Sequence, residues 1–186
     1  MLDILNTLAA VGTFVVIAAT AIAAVVQLRH LRASNQLQGL LTVIAQVENL
    51  GSNASAETAR KEAARLLDDP AYRKQLAGGS VDRTAAWIWL ANSYDWVGNL
   101  VKHGLIPSGP LLDIYSGRVI AAWEMLNDFT AIIRRGGDLS IWENFEYLYV
   151  EAKAWERAYP AGNYPKNVER AVVIDHYLEA DTALKN

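Results

Sequence analysis

The chain has 186 residues, no cysteine, and 17 Lys+Arg against 20 Asp+Glu, for a formal net charge of −3. The missing cysteines exclude disulfide scaffolds, zinc ribbons, iron–sulfur clusters and thiol nucleophiles, and the acidic balance argues against a nucleic-acid partner, which requires a basic footprint. With 12 glycines and 5 prolines it is neither a disordered nor a fibrous chain, and its length suits one domain with an appendage.

The appendage comes first. From Ile4 to Leu28 there is no charged residue. The dense part, Leu8 to Leu28, makes a helix of about 31 Å, matching a hydrocarbon core of about 30 Å. Ten of these residues are Leu, Ile, Val or Phe, which together favour insertion by about 3–6 kcal/mol. A cleaved signal peptide is the rival, and Ala21-Ile22-Ala23 resembles a cleavage site. However, the flank before the apolar stretch carries only Asp3, and the stretch exceeds a signal-peptide core of about 7–15 residues. Residues 1–32 are therefore expected to be a retained anchor in the lipid bilayer. Arg29 and Arg32 follow the span, so the positive-inside tendency predicts an inner-membrane, single-pass protein with its N-terminus outside and residues 33–186 cytoplasmic. Ala9, Thr13, Thr20 and Ala24 fall on one face of the span, either as a close-packing surface or because alanine is abundant there.

Beyond the span the pattern is helical throughout. Nothing from Gln27 to Glu48 breaks a helix, so the anchor is expected to continue into the first domain helix as one rod, the alternative being a new cap at Ser34 or Asn35. A polar turn at Gly51-Ser52-Asn53 precedes an alanine-rich helix from Glu57 to Leu67. Asp69 and Pro70 then cap and open a short helix, closed by Gly78-Gly79. Ser80 is expected to open a longer helix with Trp87, Leu90, Tyr94, Val97 and Val101 at 3-4 spacing. A second row, Ala86, Trp89, Trp96 and Leu100, lies beside it. So wide an apolar arc belongs at the centre of a domain. The helix ends at Lys102-His103-Gly104, a cation followed by glycine.

Pro107 to Pro110 starts the next helix, with Leu112, Tyr115, Val119, Ala122, Leu126, Phe129 and Ile133 in register and a stop at Arg134 to Gly137. Ser140-Ile141-Trp142-Glu143 has the pattern of a capping box, opening a helix that buries Phe145, Leu148, Ala152 and Trp155. After a loop bracketed by Pro160 and Pro165, a weaker helix is expected from Val168 to Leu184. No alternating stretch is long enough for a strand. The predicted fold is all-α: one transmembrane helix continuous with an antiparallel helical bundle.

Chemistry is harder to find. A di-metal bundle site needs Glu-x-x-His pairs, but Gln27, Leu100 and Val173 stand three residues before His30, His103 and His176. There is no lysine-bearing phosphate loop and no nucleophile elbow around Ser93, Ser108, Ser116 or Ser140. Glu124 with Asp128, and Glu143, Glu146 and Glu151, are carboxylates within a turn or two that read as solvated faces in preference to acid/base pairs. Asn92, Asp95, Asn99 and Lys102 form a polar stripe on the Trp-rich helix, read as a solvent face in preference to a recognition face. If Asp95 is buried it needs a partner, with Arg118, Arg134 and Arg135 as candidates. The residues thus imply no catalytic, metal or cofactor site.

Six tryptophans and eight tyrosines are more than a domain of about 150 residues can bury completely. Exposed tryptophan is enriched at protein interfaces and at membrane surfaces, and because the second row flanks the core stripe, Trp89 and Trp96 are the candidate contact residues.

The run Trp96-Val97-Gly98-Asn99-Leu100-Val101-Lys102-His103-Gly104-Leu105-Ile106-Pro107, followed by Trp123, Arg134 and Trp142 to Leu148, resembles an uncharacterised bacterial family of short, single-span, membrane-anchored helical proteins, a domain of unknown function. The likeness spans roughly Asn35 to Trp155. It brings no active site to transfer, and suggests that Phe145 packs inward while Glu146 pairs with Arg134. The expected function is a non-catalytic membrane-anchored interaction module: a scaffold, regulator or accessory subunit that meets a protein partner or its own copies. The alternative is a tethered sensor or effector binding a small ligand between helices.

Overall fold

The structure, a computed structural model, describes residues 1–50, 53–79, 85–135 and 137–178, the side chains at 46–50 and 53–56 excepted. Gly51, Ser52, Ser80, Gly136 and the stretch from 179 to Leu184, to which turn, start, stop and last-helix roles were assigned above, lie outside the described residues. Among the described residues six helices of eight or more residues follow in order: α1 (Leu2–Leu50), α2 (Asn53–Asp68), α3 (Pro70–Ala77), α4 (Ala86–Lys102), α5 (Ser108–Arg134) and α6 (Glu143–Ala158), with a short helical piece at 176–178. No strand occurs among the described residues. The fold is all-α.

The apolar stretch and the first domain helix are indeed one rod. At 49 residues, α1 is about 73 Å long. It is long and apolar enough to cross a membrane, and none of its most apolar window is buried inside the fold. Its threonine hydroxyls are satisfied within the helix: Thr7, Thr13 and Thr20 each donate to the carbonyl four residues back, at 2.8–2.9 Å. That satisfaction removes the cost of carrying a hydroxyl into an apolar surrounding. Only near its end does α1 pack, through Leu40 and Val43, with Ile44 against the core edge.

The core lies between α4, α5 and α6. α5 runs antiparallel to α4: Trp87, early in α4, stacks on Phe129, late in α5, with ring centroids 4.2 Å apart. α6 runs back along α5. Its first turn meets Arg134 at the end of α5, and a Cβ on Gly109 at the start of α5 would sit 3.7 Å from Trp155. Tyr94, Trp123 and Phe145 fill the centre, Phe145 stacking on Tyr94 and taking Trp123 edge-on, both at 5.0 Å. Such pairs add about 0.5–1.5 kcal/mol each beyond the area they bury.

Two expectations about local structure are corrected. The capping box at Ser140 does not form. Instead Ser140 turns to Asp138, whose Oδ1 accepts both the Ser140 amide (3.0 Å) and its hydroxyl (2.6 Å). An aspartate two residues upstream closes this tighter ring first. Trp142 then becomes the N-cap in a left-handed conformation, φ 54°, which is uncommon for a bulky residue. The second correction concerns Val168 to Asp175, which is irregular and exposed; among the described residues of this stretch, helix is found at 176–178. Val172, Val173 and Ile174 are stiff at χ1, which lowers helix propensity, and no neighbouring surface covers a helical face there to compensate.

Candidate functional site

α4 is the element around which the site is built, and its faces have different fates. The row Trp87, Ala91, Tyr94, Val97 and Val101 is buried in the core. The polar row Asn92, Asp95 and Lys102, expected to face solvent, instead seats the start of α6. Asp95 Oδ1 accepts the amides of Asn144 (3.0 Å) and Phe145 (3.1 Å), and its Oδ2 takes the Asn144 side-chain amide at 3.3 Å. Asp95 therefore caps a helix that begins nearly 50 residues later. Its partners are the orphan N–H groups of that helix end, not the arginines at 118, 134 or 135.

The contacts around it complete a seam. Asn92 Oδ1 accepts the Trp142 indole N–H at 2.8 Å, which holds the left-handed residue in place along with an edge-on contact to Trp87 at 6.0 Å. Lys102 Nζ reaches Glu143 Oε1 at 3.0 Å and Asn144 Oδ1 at 3.2 Å. Between these, the backbones touch: a Cβ on Gly98 would lie 2.0 Å from the Asn144 carbonyl oxygen and 2.5 Å from its carbon. Only glycine fits there. A glycine in the middle of an otherwise unbroken helix is the signal by which the sequence marks this crossing.

α4 itself begins the same way. Its N-cap, Ala85, has no side-chain bond to offer, and Glu62 of α2 supplies the acceptor for the Ala86 amide at 3.1 Å. Two helix starts in this fold thus take their caps from carboxylates on a neighbouring helix.

Arg134 and Glu146 come together at 2.6 Å. The Arg134 guanidinium also donates from Nε (3.0 Å) and Nη2 (2.8 Å) to the Ile141 carbonyl and lies over the Trp123 ring at 6.0 Å. It ties the end of α5, the connection and the first turn of α6 into one unit.

The other carboxylates singled out above take cations as neighbours where they take anything: Glu143 meets Lys102, and Glu124 meets Lys153 at 3.9 Å. Burial pushes the Tyr94 hydroxyl up to about 12, opposed by the Arg118 charge and helped by Tyr115. Tyr147 is raised as well, by burial and then the Glu151 charge. Both phenols stay protonated at neutral pH. Asp138 is lowered by its two bonds from Ser140. His30, His103 and His176 are exposed and lie on different elements, and among the described residues no group of three or more His, Asp or Glu side chains is arranged to hold a metal ion.

One face of α4 is left over. Trp89 and Trp96, two turns apart on the same side, are 48% and 45% exposed. By contrast Trp87, Trp123 and Trp142 are buried, and Trp155 packs at the core edge. Of the row that flanks the core stripe, Ala86 and Leu100 pack against the core edge, and the two tryptophans are the members turned outward.

The family model described as "Domain of unknown function (DUF4760)" matches residues 14–152, about three quarters of the chain. The chain belongs to this family. The matched region of the DUF4760 domain starts within the apolar part of α1 and ends in α6, so it takes in the α4–α6 seam, the Arg134–Glu146 pair and both outward tryptophans. No curated protein and no solved structure matches the chain.

Proposed function

We infer that this DUF4760 protein is a membrane-anchored interaction module. In this reading α1 spans the bilayer, the helical domain stands in the cytoplasm beside it, and Trp89 and Trp96 form the centre of a contact with a protein partner or a second copy. The observation that carries the reading is the half-exposure of two tryptophans on the most buried helix of the fold. Exposing two large aromatic rings to water forgoes about 1 kcal/mol or more each, and tryptophan is the residue most enriched at the energetic centre of interfaces. α4 holds these rings rigidly, since its other faces are fixed by the core and by the α6 seam. A filled aromatic core with an outward aromatic row also favours this reading over a ligand held between helices.

A photo-crosslinking side chain placed at Trp96 in living cells tests it. The expected result is a discrete crosslinked protein band from position 96 and none from Ile114, a more exposed apolar residue on α5. Crosslinks from position 96 to nothing, or the same pattern from both positions, would overturn the reading.

A further inference from the structure

The end of the domain from which α1 departs can be identified. A Cβ on Gly39 would touch Ile106 at 3.5 Å, just past the C-terminus of α4, whereas Glu62 of α2 caps its N-terminus. The chain therefore passes from one end of α4 to the other between these residues. The unpacked part of α1, residues 2–35, leaves from the Ile106 end. α6 finishes at that same end, because Trp155 lies against Gly109 at the start of α5 and Tyr159 packs on Trp155 at 4.5 Å.

The segment after α6 stays there. Arg170 Nη2 donates to the Ala161 carbonyl at 2.9 Å, its guanidinium covers the Tyr164 ring at 4.6 Å, and the Tyr164 hydroxyl donates to the Glu169 carbonyl at 3.1 Å. This closed loop returns residue 170 to the end of α6. From that point the chain carries Val172, Val173, Ile174, Tyr177 and Leu178, all exposed, Val173 to 91%. Asp175 Oδ1 accepts the amides of Tyr177 (2.9 Å) and Leu178 (3.0 Å), so a helical turn is started with its apolar side chains facing water.

We propose that residues 171–178 rest on the lipid surface beside the point where α1 enters the bilayer, with these five apolar side chains in the interfacial layer. This rests on the reading of α1 as a span. If the span ends at Leu28, the ten residues to Gln38 hold the domain about 15 Å above the hydrocarbon. About 5–7 Å of that is headgroup region, and eight extended residues reach about 26 Å. The segment spans the gap with length to spare. Between Glu156 and Asp175 the chain has three cations and three carboxylates, so the attraction is apolar and insensitive to lipid charge.

The absence of native cysteine allows a single spin label at a chosen site in the full-length chain, in nanodiscs of zwitterionic lipid. Three variants are compared for collision with oxygen, which concentrates in lipid, and with a water-soluble nickel chelate: Val16→Cys in α1, Val173→Cys, and Leu139→Cys at the far end of the bundle. The expected result is lipid-like accessibility at positions 16 and 173 and aqueous accessibility at 139, unchanged when a third of the lipid is anionic. Aqueous accessibility at 173 with lipid-like accessibility at 16 overturns this inference and leaves the span intact. Shielding of 173 from both reagents overturns it too, in favour of a protein contact. Aqueous accessibility at position 16 overturns the span itself.

Discussion

The cap that Asp95 places on α6 makes the sharpest prediction about how this fold is held. Replacing Asp95 with alanine removes the acceptor for two amides in the first turn of α6 and for the Asn144 side chain. Loss of a helix cap costs about 0.5–2 kcal/mol, and each partly buried amide left without an acceptor adds about 1 kcal/mol or more. The expected loss for Asp95→Ala is therefore about 2–4 kcal/mol, or roughly 8–15 °C in the melting temperature of a domain of this size. Asp95→Asn keeps the oxygen that takes the two backbone amides; it loses the charge at the helix end and, because an amide nitrogen replaces Oδ2, the Asn144 side-chain bond, together worth about 1–2 kcal/mol. Thermal unfolding of the full chain in mild detergent, followed by helical circular dichroism and by tryptophan emission, separates the two variants. Trp142 sits next to the cap and should report its loss first. An Asp95→Ala variant within about 0.5 kcal/mol of the parent, the range of an ordinary surface change, would refute the reasoning, as would an Asn variant no better than the Ala one.

The remaining predictions concern the crossing, the ion pair and the anchor. Gly98→Ala should destabilise by about 2 kcal/mol or more, because its Cβ meets backbone, whereas Gly39→Ala, with room against Ile106, should stabilise by up to about 1 kcal/mol; equal effects in chemical denaturation would contradict the close approach. Arg134→Ala should cost about 1–2 kcal/mol through the lost Ile141 carbonyl bonds and packing, and Glu146→Gln less than 1 kcal/mol, since Glu146 is half exposed; the reverse order would make the ion pair the dominant link. The anchor should survive in the mature protein, seen as an intact mass that includes the apolar helix, and right-side-out vesicles should protect Arg60 and Lys61 from protease. Loss of the first 20-odd residues, or ready cleavage after Arg60 or Lys61, would contradict the anchor and its orientation respectively.

Much of the architecture was legible because it is written in local periodicity. The Trp87–Val101 and Leu112–Phe129 rows mark α4 and α5 by spacing alone, and Asp69-Pro70 caps α3 as expected, with Asp69 Oδ1 accepting the Ala71 amide at 2.8 Å. What escaped was non-local. The Asn92–Lys102 stripe has the composition of a solvent face, and nothing in its spacing reveals that a helix start some 50 residues on will be seated there. Ser140 and Glu143 match a capping box, but Asp138 competes for the serine and Asp95 for the amides. Val168 to Asp175 has enough apolar residues for a helix yet is irregular, since a short helix needs a surface to bury its apolar face. The outward position of Trp89 and Trp96 was anticipated by their row beside the core stripe.

Trp89 and Trp96 carry the proposed function, and native mass spectrometry of the full chain purified from its own membranes in mild detergent tests them most directly. The parent chain is predicted to run as an assembled species, with a partner or with itself. Trp89→Ala and Trp96→Ala are predicted to shift it to the monomer with helicity retained. A parent chain that is already a bare monomer would contradict the account, and so would variants that lose the assembly only by unfolding.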